Sequence, residues 1–213
     1  MAVTGTVSPQ VSSRKQPQQA RSNELVSAVL DAAVQVLRSE GARRFTTARV
    51  AARAGVSVGS LYQYFPNKAA ILFRLQSDEW RRTTDLLRDI LENQTVQPLK
   101  RLRALVHAFI RSECDEARVR LALADAAPLY RDAPEAEEAR AAGSLVMRAF
   151  MAEALPHADE NTRDLAADLI ETTMTQVGAS FSEVERAEAD IRIFADAMAD
   201  MFCAYLTRLE QAG

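Results

Sequence analysis

The stretch GVSVGSLYQYF, residues 55–65, puts side chains able to read a nucleic acid on a segment with an apolar period. Gln63 carries an amide that donates and accepts at once. That is the pattern for a bidentate contact with adenine, worth about 1–3 kcal/mol of discrimination. Val58 suits a thymine methyl. Gly59 and Ser60 have little bulk, so a helix bearing them can bring its backbone close to base edges. Val58, Leu61, Tyr62 and Phe65 fall at i, i+3, i+4 and i+7, which predicts one short helix over 58–65. Leu61 and Phe65 are expected fully inside, with Val58 and Tyr62 at the margin. The opposite face is expected to carry Gly59, Ser60, Gln63 and Tyr64. A major groove admits one α-helix about 10–12 Å wide. Double-stranded DNA is therefore the expected partner of that outer face. The segment has no Lys or Arg, so any guanine contact must come from elsewhere.

The flanking residues predict the elements that hold this helix. Val26, Val29, Leu30, Ala33, Val36 and Leu37 form one stripe of a first helix over about 22–40, and Gly41 is placed to end it in a left-handed conformation. A threonine of the Thr46–Thr47 pair can cap a second helix over about 47–54. That helix turns Val50, Ala51 and Ala54 inward and Arg49 and Arg53 outward. Gly55 breaks it, Ser57 can cap the next, and Pro66 biases Phe65 away from α. Asn67 can cap a fourth helix running from Lys68 toward Asn93. Two helices joined by a turn of three or four residues with a Gly are a helix-turn-helix. Arg43, Arg44, Arg49 and Arg53 are phosphate candidates, because phosphates supply affinity and base edges supply sequence choice.

Charge distribution agrees. The 213-residue chain has net charge −3, but residues 1–68 hold nine Lys and Arg against three Asp and Glu. The remainder holds 17 against 26, so a basic first third precedes an acidic body and points to a polyanion partner for the first part only. Residues 1–21, rich in Ser, Gln, Val and Pro with Arg14, Lys15 and Arg21, read as a flexible basic tail. Seven Gly and seven Pro among many Ala, Leu, Arg and Glu favour an all-α chain of about nine helices. Two cysteines, Cys114 and Cys203, and two histidines, His107 and His157, form no CxxC and no zinc set. No metal and no cofactor is expected, and a reducing cytoplasm is the default. No apolar run approaches the roughly 18–20 residues that span a bilayer, and no secretory leader is visible.

The segment FTTARVAARAGVSVGSLYQYFPNKAAIL, residues 45–72, resembles the DNA-binding segment of the TetR family of bacterial transcriptional regulators. The upstream VLDAAVQVLRSEG resembles that family's first helix, so the likeness covers about residues 18–72. The Thr-Thr pair, the A-x-x-A-G-V-S turn, the L-Y-x-Y-F core and N-K all agree. The resemblance implies that Thr47 binds a phosphate through its hydroxyl and the free N–H groups at the helix start. It implies that Tyr62 and Tyr64 donate hydroxyls to phosphates and that Lys68 adds a point charge. It divides the chain into a tail (1–21), a helix-turn-helix domain (22–70) and a helical effector-binding and dimerisation domain (71–213).

Beyond residue 72 the sequence reads as further helices. The last two are long, apolar and adjacent, marked by Leu165, Leu169, Met174, Val177 and Phe181, then by Ile191, Phe194, Met198, Met201, Phe202, Tyr205 and Leu209. In the resembled family such a pair packs against its twin as a four-helix bundle. Leu169, Val177, Phe181, Phe194, Met198, Met201, Phe202 and Tyr205 are the expected dimer contacts. Two-fold pairing sets two recognition helices about 34–36 Å apart, one DNA turn, so a palindromic operator is expected. An effector pocket could be lined by Trp80, His107, Phe109 and Tyr130. Met147, Phe150, Met151, Met174 and Gln176 are further candidates, although a Met or Phe stripe at helical spacing also makes plain core. The leading expectation is a homodimeric repressor released by a small, largely apolar effector. An activator and an effector-independent DNA-bound protein of the nucleoid-occlusion kind are the alternatives. The absence of a Gly-rich phosphate loop, metal spacing or a Ser/His/Asp set argues against an enzyme.

Overall fold

A computed structural model describes residues 20–126 and 134–212. The expected tail, except residues 20 and 21, and both Pro128 and Tyr130 lie outside the described residues. Among the described residues the chain is all α. Its helices are α1 (Ala20–Glu40), α2 (Thr47–Ala54), α3 (Val58–Tyr64), α4 (Lys68–Leu91), α5 (Pro98–Asp115), α6 (Ala117–Ala126), α7 (Pro134–Ala154), α8 (Glu160–Ser182) and α9 (Glu188–Ala212). One 3₁₀ turn, Ala42–Arg44, joins α1 to α2. No helix of the described residues is long and apolar enough to cross a membrane.

The chain divides into two compact units. The first is Met1–Glu79 with Arg118–Glu137, and the second is Trp80–Ala117 with Glu138–Gly213. The division falls inside α4, later than residue 70. In the first unit Val26, Val29, Ala33, Val36 and Leu37 of the α1 stripe are in the core together with Ala32, while Leu30 is half-buried. Gly41 follows with φ 74° and ψ 171°, so its positive φ is as expected but its ψ is extended rather than left-handed helical. Glu79 on α4 and Arg120 on α6 form a largely buried ion pair, Oε1 to Nη2 3.0 Å apart, and burial lowers the Arg120 pKa against the pull of Glu79.

The second unit is built on α5, which packs against both α8 and α9. Its core joins Leu102, Leu105, Val106 and Ile110 of α5 to apolar side chains of α7, α8 and α9. Along the α5–α9 seam, Arg103 pairs with Asp200 and Asp196, His107 Nε2 lies 3.0 Å from Asp196 Oδ1, and Arg111 pairs with Glu188. Arg101 is 2% exposed and donates to the Leu91 carbonyl and to Glu153, with its guanidinium 5.6 Å from the Phe150 ring centre. Burial pushes the Cys114 and Cys203 thiols up, and both cysteines are free.

On the other side of α5, α8 comes close at Gly178. A Cβ there would sit 3.2 Å from Ile110 Cδ1 and 3.3 Å from Phe109 Cε1 and Glu113 Cγ. Gly178→Leu must therefore displace the Ile110, Phe109 and Glu113 side chains or move α8 away from α5. A loss of about 2–3 kcal/mol is expected, measurable as a lowered urea midpoint.

The pocket candidates fall in different surroundings. Met147, Phe150, Met151 and Met174 are buried together in the core of the second unit, with Phe109 packed against them. Gln176 is exposed on α8, because its place on the helix lies opposite the buried Met174 and Gly178. His107 is held at the α5–α9 seam by Asp196. Trp80 is half-buried on α4.

Candidate nucleic-acid interface

The site is made by three consecutive caps. Thr46 is extended, and its hydroxyl accepts from the Arg49 N–H, which starts α2. Gly55 closes α2 with φ 68° and ψ 25°. Its N–H donates to the Ala52 carbonyl, and the Val56 N–H to the Ala51 carbonyl, the paired bonds of a Schellman end. Ser57 then starts α3, its hydroxyl accepting from the Ser60 N–H at 2.9 Å. Asn67 Oδ1 accepts from the Ala70 N–H at 2.9 Å and starts α4. Three short polar residues and one left-handed glycine thus fix the starts of α2, α3 and α4 and the turn between α2 and α3 by local bonds.

Packing then fixes which face of α3 is free. Leu61, Tyr64 and Phe65 are buried at 0%, 7% and 1% exposure. Val58 and Tyr62 are exposed at 39% and 41%, and Gly59 and Gln63 are exposed beside them. Ser60 is half-buried, its hydroxyl 2.8 Å from that of Ser57. The two tyrosines have therefore exchanged the places expected of them. Tyr64 lies three residues on from Leu61, a step of about 60° backward around a helix of 3.6 residues per turn, whereas Tyr62 lies about 100° forward. The inward stripe thus takes Tyr64. Its hydroxyl donates to Ser22 Oγ of α1 at 3.0 Å, which satisfies the one polar atom it buries.

Tyr62 instead comes to Thr47. Their hydroxyl oxygens are 3.1 Å apart, so two of the side chains expected to hold phosphate converge at the N-terminus of α2. The first N–H groups of that helix are there as well. Lys68 is exposed at the start of α4. Arg49 departs from expectation: it is half-buried and donates to the Glu40 carboxylate of α1. Arg53 Nη1 reaches Gln35 Oε1 at 3.3 Å. Sequence spacing places both arginines outward but does not show what α1 sets opposite them. Glu40 was not singled out in the sequence, because its pairing is a tertiary contact.

The two tyrosines can be separated experimentally. Tyr64→Phe is expected to cost about 1 kcal/mol of stability, the net worth of one hydrogen bond, with DNA affinity kept. Tyr62→Phe is expected to leave stability unchanged and to weaken DNA binding by roughly 5–10-fold, the loss of one phosphate contact. Thermal melts and fluorescence anisotropy on labelled duplex check both.

Further exposed apolar side chains lie on α8 and α9. Leu165, Leu169 and Val177 are exposed on α8, and Ile193 and Met201 on α9, each at 41–64%. Of the expected dimer contacts, Leu169, Val177 and Met201 are among them. Met198 and Phe202, at 5% and 3% exposure, are part of the chain's own core. Phe181 and Phe194 stack on each other, ring centres 3.8 Å apart, and like Tyr205 are partly buried. The apolar period of α9 is satisfied mainly by α5, which leaves Ile193 and Met201 on the outside.

Comparison with known proteins bears on both sets of residues. A family model described as "Bacterial regulatory proteins, tetR family" matches residues 29–75, and one described as "Tetracyclin repressor-like, C-terminal domain" matches residues 97–209. The nucleoid occlusion factor SlmA of Vibrio campbellii is 35% identical over 83 residues, which is 38% of this chain and 42% of that protein. The matched part is therefore less than half the length of that relative. The fatty acid degradation regulator FadR from Bacillus halodurans has a similar fold, with TM-score 0.66, 18% identity, and coverage of 88% of this chain and 97% of that one. SmeT, the repressor of the Stenotrophomonas maltophilia multidrug efflux pump SmeDEF, is similar with TM-score 0.64, 22% identity, and coverage of 84% and 89%.

Proposed function

The chain belongs to the TetR family of bacterial regulatory proteins, DNA-binding regulators and not enzymes, and on that premise we propose that it is a homodimeric repressor of transcription. In this reading two copies of α3 occupy successive major-groove segments of a palindromic operator overlapping a promoter. A small, largely apolar effector releases them. The protein works in the cytoplasm, at the nucleoid.

The observation that carries the reading is the free face of α3. Val58, Gly59, Tyr62 and Gln63 are exposed on a helix whose start and turn are locked by Ser57 and Gly55. Gln63 reads adenine, Val58 meets a thymine methyl, and Gly59 permits close approach. Thr47, Tyr62 and Lys68 hold phosphates. The exposed apolar residues of α8 and α9 form the two-fold contact, since a patch of that kind marks an interaction surface.

Release requires an effector that prefers another conformer. Moving a population from 1:99 to 99:1 needs about 5.5 kcal/mol of differential affinity. Helix α4 is the lever, because it supplies residues to both compact units. FadR and SmeT, named for fatty acid degradation and multidrug efflux, fit an apolar effector here. The 35% identity with SlmA favours a second reading, an effector-independent DNA-bound protein acting at many dispersed sites. Activation instead of repression would follow from a different operator position.

The test is selection of duplexes from a random-sequence library by the purified protein, followed by sedimentation of the complex. An enriched inverted repeat carrying two chains per duplex supports the reading. Enrichment of nothing, or one chain per site, contradicts it.

A further inference from the structure

Glu40 is the last residue of α1, where a carboxylate meets the negative end of the helix dipole. It does not serve that helix. Its Oε2 accepts from Arg49 Nη1 of α2 and lies 3.7 Å from Arg44 Nε of the connecting turn. The carboxylate is 24% exposed, while Arg49 and Arg44 are 40% and 65% exposed. Arg44 ends the turn before α2 and Arg49 lies in the first turn of α2, the helix at whose start the Thr47 and Tyr62 hydroxyls meet. One anion thus pairs with two cations in and before the first turn of α2.

We infer that Glu40 sets the strength of DNA binding by holding Arg44 and Arg49 back from phosphates. The inference rests on the DNA-binding reading above. A guanidinium paired to a carboxylate releases no counterion when DNA arrives, so it adds little to affinity. Binding either leaves the pairs closed or opens them against the attraction of Glu40. The device restrains phosphate contact, which carries no sequence information, and leaves base contact by α3 untouched. It therefore keeps the protein from being trapped on non-cognate DNA.

The test uses the full chain and a mixed-sequence duplex, with affinity measured across a salt series. Glu40→Gln is expected to tighten binding roughly tenfold at low salt and to steepen the log K against log salt slope by about 1–2, one unit per freed cation. Arg49→Gln in the wild-type background is expected to cost less than about twofold, and in the Glu40→Gln background about 5–10-fold. Unchanged or weaker binding by a folded Glu40→Gln protein overturns the inference. An equal loss from Arg49→Gln in both backgrounds overturns it too. If Glu40→Gln fails to fold, Arg49→Gln alone decides: a loss above fivefold shows that Arg49 already holds a phosphate. Failure of the wild-type protein to bind the duplex at low salt would instead remove the DNA-binding reading itself.

Discussion

Leu169→Glu combined with Ile193→Glu is expected to turn the protein into a folded monomer that has lost its operator. The two side chains are 48% and 64% exposed, on α8 and α9, so each charge enters water and the core is left intact. In the dimer the same charges would be buried against their own symmetry copies, and like charges removed from water without partners are strongly unfavourable. The DNA consequence is larger than the protein one. A single α3 contacts one half-site, and coupling two half-sites multiplies affinity by about 10²–10⁴ without a new contact. Loss of the dimer is therefore expected to weaken operator binding by that factor. The melting transition, measured at matched concentration, would fall only to the extent that association stabilises the chain. Sedimentation and anisotropy on the same samples check the two halves. A variant that stays dimeric with operator affinity intact would place the interface elsewhere.

Gly59→Glu carries the second large effect. A Cβ at Gly59 meets only Ser57 Oγ, at 3.7 Å, so the fold has room for a side chain. Gly59 lies on a helix with ordinary negative φ, and the positive-φ glycines of the described residues are Gly41 and Gly55. Stability is thus expected to change by less than about 1 kcal/mol, with a small gain in helix propensity. In the proposed complex the groove has no such room. The new side chain occupies the gap between the α3 backbone and the base edges, and its charge faces the phosphates. A loss of at least about 100-fold in affinity is expected. Gly59→Ala should fall between, losing affinity by steric lift alone. Gel shifts and thermal melts together make the test: a large loss of binding with an unchanged melt places α3 in the groove. Unchanged binding takes it out.

Much of this site was legible in sequence because its bonds are local. Thr46, Ser57 and Asn67 each bind an N–H three residues on, and Gly55 supplies the one left-handed position. Such features depend on residue type and spacing alone. Tyr62 and Tyr64 were exchanged because α3 has only seven residues, too few for a period to fix an inward direction. That direction is set by α1, where Ser22 waits for the Tyr64 hydroxyl. The Arg49–Glu40 pair is not legible in the spacing for a related reason, since Glu40 lies on another helix. Met198 and Phe202 show the limit from the other side. Their spacing announces a buried stripe, but the period does not say whether the same chain or a second copy buries it. The core methionines of α7 and α8 carry the same ambiguity between packing and pocket.

The most direct test of the central claim is footprinting of the purified protein on DNA from its own source, at fixed and stated salt. Protection of one or a few sites is expected, each with two half-sites about 10–10.5 base pairs apart or a multiple of that. Many scattered protected sites would contradict a local repressor and favour the dispersed DNA-bound role. Absence of any protected site would contradict the assignment of α3 as a recognition helix.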